Sequence, residues 1–273
     1  MFRATRNVQL AGYTACPHIL CMNTIIVADQ TRARLARLAA RHRNARGVGM
    51  QLVGLLGSQA ENLLERLPDP VKTGLEGATA RALESAMDVA SASRTARLPD
   101  TSDWLTRAIT LGTGAVGGLG GLPSALAELP VTTTVLLRAI QGIAQEHGIN
   151  AQTPEGRAAC LQVFAAAGPL EADDGTDLSF LTLRLTLSGS AVSKAIAAVA
   201  PRLSLVLGQK LAAQSVPLLG AAAGAATNYV FTSYYQDMAR VQFGLMQLSQ
   251  ETGRPVEALV DDLRALLSAP RTR

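Results

Sequence analysis

Aromatic side chains are scarce in this chain of 273 residues: five Phe, four Tyr and one Trp, or 4%. A core of useful size must therefore be filled by Ala, Leu, Val and Gly, which suits helices that approach one another closely. The same scarcity, with no Arg/Lys stripe interleaved with rings, argues against a nucleic-acid groove. Cysteines are few as well. Cys16, Cys21 and Cys160 form no C-x2-C pair and have no closely spaced His partner, so a structural zinc site is not expected and a reducing compartment is the simpler reading. Of three histidines, His18 and His42 fall near the N-terminus, and His147 precedes Gly148 where helix-end electrostatics explain it. There is no G-x-S-x-G elbow and no H-E-x-x-H, so no catalytic residue, metal ligand or cofactor is assigned.

What is present is helix-forming. Hydrophobic residues make up 48% of the chain, Ala, Leu, Arg, Gln and Glu dominate, and β-branched residues rarely cluster. The expected fold is all-α, a compact multi-helix bundle with two glycine-rich helical hairpins. The net charge of +4 is mild and its Arg residues concentrate near the front, which favours anionic lipid contact or simple solubility.

Residues 1–21 resemble nothing in the rest of the chain and read as a disordered or mis-annotated extension, with Met22 an alternative start. As a secretory signal they are poor, since Gly12, Tyr13, Pro17 and His18 interrupt the apolar part. Residues 22–97 read as N-terminal helices that form one globular unit with a helical domain over 98–273. From Thr31 to Arg46 a basic helix without acids is expected, broken by Gly47. Its Arg34, Arg37 and Arg41 either face an anionic membrane surface or form a solvated face while Leu35 and Leu38 dock on the domain. A helix ends at Pro68 and another follows Pro70, with small residues Ala78, Ala82, Ala86 and Ala90 on one stripe.

Two stretches stand apart. Between Arg107 and Glu128 nothing is charged, yet six glycines and Pro123 oppose a plain membrane span. Gly114 with Gly118, and Gly117 with Gly121, give the small-x-x-x-small pattern of close helix crossing. Gly112, Gly114 and Gly117 also spell G-x-G-x-x-G, but the following glycines and Pro123 deny the helix a dinucleotide fingerprint needs. A helix should start after Pro130 and close at Gly148; the next opens at Thr153-Pro154 and carries Cys160, Leu161 and Phe164 inward. The acidic loop 171–177 lacks calcium-loop spacing. The alternating segment 181–187 has strand periodicity but no partner strand, so it is not assigned as one.

The second stretch runs uncharged from Lys210 to Asp237, with Pro217 able to open a helix and Gly220, Gly224 and Asn228 four apart on one flat side. Polar residues within it, including Gln214, Thr227, Asn228, Tyr234 and Tyr235, need partners if buried. They form either an interhelical network or a pocket for a polar ligand or headgroup. The candidate site is Gly220, Gly224, Asn228, Tyr235 and Asp237, joined by Arg138.

Over residues 98–248 the chain resembles the EcsC family of bacterial proteins. The resemblance rests on Leu122-Pro123, Glu128-Leu129-Pro130, Arg138, the turn from Ala144 to Gly148, Pro217, Gly220, Gly224, Asn228 and Phe231. It implies a helical, membrane-associated protein whose partners are lipid or a membrane protein, with an ABC transporter linked to protein secretion the candidate. It also implies a cytoplasmic location, peripheral to or partly inserted in the inner membrane. No catalytic residues are established for that family, so none carry over. A soluble lipid- or small-molecule-binding module, or a hydrolase with an unrecognised site, is the alternative.

Overall fold

A computed structural model describes residues 17–56, 68–95, 103–119, 121–166, 178–182, 191–214 and 220–269. Nearly all of the described residues are helical, with no strand among them, as the composition predicts. Among the described residues eight α-helices succeed one another: α1 (Pro17–Leu56), α2 (Asp69–Thr95), α3 (Asp103–Leu119), α4 (Gly121–Glu146), α5 (Pro154–Gln162), α6 (Ala191–Gln214), α7 (Gly220–Thr252) and α8 (Val256–Ser268). The chain divides into two compact units, Met1–Arg34 and Leu35–Arg273. The helix bundle lies in the second.

The centre of that unit is α7, which packs against α3, α4, α6 and α8. Its buried positions run almost without interruption from Val230 to Ala239. Three of the few rings gather at one place. Tyr235 lies 5.3 Å from Phe164 and 5.3 Å edge-on from Tyr234, a geometry favourable to aromatic pairs. Around them the core is Leu, Ile, Val and Ala, with Cys160, Leu161 and Phe164 buried as the sequence suggests.

Two expected helix breaks are absent. Gly47 lies inside α1, exposed and with open space around it, so the helix bears only the roughly 1 kcal/mol propensity cost of a glycine. Pro130 lies inside α4 instead of preceding it. Its ring is exposed, while Leu129, Thr132, Thr133, Leu136 and Leu137 are buried, so packing on both sides of Pro130 offsets the lost backbone hydrogen bond.

The other termini obey their sequence signals. α4 closes at Gly148, whose φ of 76° is the left-handed conformation glycine adopts at a helix end. Thr153 caps α5, its hydroxyl accepting from the Gly156 amide at 3.0 Å, with Pro154 next. α8 stops at Ser268, ahead of Pro270. Of the alternating segment, only 181–182 are described, inside a short 3-10 turn (Ser179–Thr182). Pro217 and the acidic loop 171–177 lie outside the described residues.

Candidate functional site

The site begins with how close α3 comes to α7. A side chain on Gly114 would overlap the Gly224 carbonyl and sit 2.7 Å from the Asn228 amide nitrogen, so only glycine fits there. That contact anchors an antiparallel ladder along both helices. Thr110 meets Thr232 hydroxyl to hydroxyl at 2.9 Å, Arg107 donates to Gln236 at 2.9 Å, and Asp103 pairs with Arg240 at 2.8 Å. Arg240 also reaches Glu146 on α4 at 3.6 Å. α4 runs antiparallel to α3, with Thr132 3.5 Å from Thr113 and the Glu128 carboxylate beside Gly117, where a Cβ would lie 2.7 Å from it.

Glu128 is the node of the arrangement. One carboxylate oxygen accepts from Lys210 on α6 at 3.2 Å, from Asn228 on α7 at 2.6 Å, and from Thr132. Asn228 donates onward to the Thr110 carbonyl on α3 at 2.8 Å. Four helices are thus tied through one ion pair whose side chains are 2% (Lys210) and 6% (Glu128) exposed. Burial pushes the Glu128 carboxyl up, but the Lys210 charge and hydrogen bonds from Thr132, Asn228 and Lys210 outweigh it and hold it below its ordinary range. Burial lowers the Lys210 ammonium, and the opposing pull of Glu128 restores only part of that.

Beside the pair is a cavity of about 20 Å³ touched by Thr132, Lys210, Phe231, Thr232 and Tyr235. That is room for about one water molecule and for no metabolite. Among the described residues, no group of His, Cys, Asp and Glu is placed to hold a metal ion. The chemistry of this knot is therefore cohesion. It neutralises a charge and fixes helix spacing, leaving no reactive group facing solvent.

The candidate residues sort unevenly against this geometry. Gly224 and Asn228 lie in the knot, and Gly220 opens α7. Tyr235 lines the cavity and packs on Phe164. Asp237 and Arg138 lie elsewhere: Asp237 pairs with Arg41 on α1 at 2.7 Å, and Arg138 donates to Ser93 on α2. Arg37 is exposed and Arg34 half-buried. Gly112, Gly114 and Gly117 all lie within α3 and toward its C-terminal end, not in a loop at a helix N-terminus, so their backbone serves the helix instead of a phosphate.

Glu128 and Lys210 are legible in the sequence only as the edges of two uncharged stretches. The signal that could have joined them is that a lone acid and a lone base, each inside apolar helix, must be neutralised if buried.

No curated protein and no solved structure matches the chain. Residues 84–245, more than half of its length and including α3, α4 and α6, match the model described as the EcsC protein family. By that match the chain belongs to the EcsC protein family.

Proposed function

We propose that this protein acts without catalysis at a membrane surface, using the outer face of α3 to contact lipid. The observation that carries the reading is that α3 is amphipathic in the inverse sense. Its buried positions are polar or small: Thr106, Thr110, Gly114 and Gly117. Its outward positions are apolar: Trp104, Leu105, Ile109, Leu111, Val116 and Leu119, with Trp104 and Leu119 each 75% exposed. A helix in contact with water carries the opposite pattern. Contiguous exposed apolar surface of this kind marks an interaction site. The outward positions from Ala108 to Leu119 carry no charge. A protein partner would ordinarily meet a polar rim and several hydrogen bonds, whereas lipid asks for neither.

No described helix is long and apolar enough to cross a membrane, so the contact is peripheral or partly inserted. The exposed Arg37 is available to an anionic headgroup, while Arg41 is already engaged by Asp237. If a protein shares that membrane, the family resemblance suggests an ABC transporter, with the inner face of the cytoplasmic membrane as the location. The test is fractionation of cells expressing the full chain, with salt and alkaline-carbonate washes of the membrane pellet. Retention through salt is the expected result. A protein found wholly in the supernatant before any wash contradicts the reading.

A further inference from the structure

Charge is sorted along the axes of the site helices as well as around them. α3 runs antiparallel to both α4 and α7, and Lys210, near the end of α6, and Asn228, near the start of α7, both donate to Glu128 in the first part of α4. The C-terminal ends of α3 and α6 and the first turns of α4 and α7 therefore share one end of the bundle. At that end α3 carries no charge after Arg107 and α7 none before Asp237. On α4 the only charge before Arg138 is Glu128; on α6 the only one after Arg202 is Lys210. Those two are buried against each other. Ionisable groups at membrane depth are treated this way, turned inward and paired.

The outward side chains show the same division. Leu111, Val116 and Leu119 of α3, Val131 of α4, Leu205 of α6 and Tyr229 of α7 are exposed within the uncharged zone. Toward the other end come Asp103, Arg107, Glu146, Arg240, and Asp237 with Arg41. The single Trp of the chain, Trp104, stands exposed at the border, level with the Asp103–Arg240 pair. Tryptophan at a boundary between charged and apolar surface is the arrangement found at headgroup level. From Gly220 to Gln236 the uncharged part of α7 rises about 25 Å at 1.5 Å per residue. That is less than the hydrocarbon thickness of about 30 Å, so such an end enters a bilayer without crossing it.

We infer that this end of the four-helix group enters the bilayer tip first, with α3, α4, α6 and α7 steep to the surface and Trp104 at the headgroups. The inference rests on the membrane reading above and adds the orientation. An α3 lying flat would need only its own outer face to be apolar, whereas here the charge-free zone extends to all four helices. Tip-first entry puts Leu119 about 22 Å deeper than Trp104 along the axis of α3; flat binding puts them at one depth.

The experiment uses the full chain with vesicles of mixed phosphatidylcholine and phosphatidylglycerol. The phosphatidylcholine is brominated either near the glycerol end of its acyl chains or near their terminal methyls. Trp104 is compared with Trp104→Phe/Leu119→Trp, which moves the single fluorophore between two highly exposed positions. The expected result is that shallow bromines quench Trp104 more strongly than deep ones, with the order reversed at 119. Equal depth profiles, or no quenching at either position in protein that floats with the vesicles, overturn the orientation and leave membrane binding standing. Failure to float overturns both.

Discussion

Replacing Lys210 with Met tests the junction that the rest of the bundle depends on. The substitution conserves length and apolar packing but removes the cation 3.2 Å from Glu128, in a place where neither side chain is more than 6% exposed. The carboxylate then keeps the neutral donors Asn228 and Thr132. Removing one partner of a buried pair typically costs about 3–5 kcal/mol, because the remaining charge is left uncompensated. The hydrogen bonds from Asn228 and Thr132 set the expectation at the lower end, about 3 kcal/mol, or roughly 6–12 °C in Tm for a unit of this size. Glu128→Gln/Lys210→Met removes both charges while keeping a carbonyl oxygen for Asn228 and Thr132. It should recover at least half of the loss. Urea unfolding followed by circular dichroism, with the two single variants completing a double-mutant cycle, measures each value. A loss below about 1 kcal/mol for Lys210→Met, or a double variant as destabilised as the sum of its parts, would refute the reasoning.

Two glycines of α3 should respond in opposite senses. Gly114→Ala forces a methyl against the Gly224 carbonyl and should cost about 1–3 kcal/mol or more, whereas Gly112→Ala, with open space around it, should stabilise by up to about 1 kcal/mol. Thermal melts of the two variants decide it, and similar losses for both would mean that α3 and α7 do not approach closely. Glu128 also makes stability depend on acid. Its folded pKa lies below its unfolded one, so its contribution is complete above the ordinary value of 4.5 and is lost as pH falls through the folded value. Lipid-free wild type should therefore lose stability more steeply below pH 4.5 than Glu128→Gln; parallel pH profiles would contradict this. Arg41→Ala removes a partly exposed pair with Asp237 and should cost less than about 1 kcal/mol in the same denaturation assay.

Much of the fold can be read from the residues, because helix propensity and capping act locally. The Thr153-Pro154 start, the Gly148 stop and the span of α8 before Pro270 all come from chemistry within a few residues. Gly47 and Pro130 mislead for the complementary reason. Their local cost is small or is offset by packing contacts that a linear reading does not contain. The site is legible in outline, since Gly224 and Asn228 lie on the flat side of α7 that receives α3. Its centre is not. Glu128 and Lys210 are separated by most of three helices, and only the packing of α4 and α6 against each other and against α7 brings them together. Nearness in sequence groups Asp237 with Asn228, yet nine residues along a helix is two and a half turns, and the partner of Asp237 is on α1.

The claim that the uncharged surface of α3 meets lipid is tested most directly by floating purified full-length protein with vesicles and comparing wild type with Val116→Glu/Leu119→Glu. Both side chains are well exposed, at 65% and 75%, so folding should be unaffected and circular dichroism should be unchanged. Withdrawing two apolar side chains from the bilayer, at about 1.5 kcal/mol or more each, predicts a loss of binding of about a hundredfold. Equal flotation of the wild type and the double variant would contradict the account.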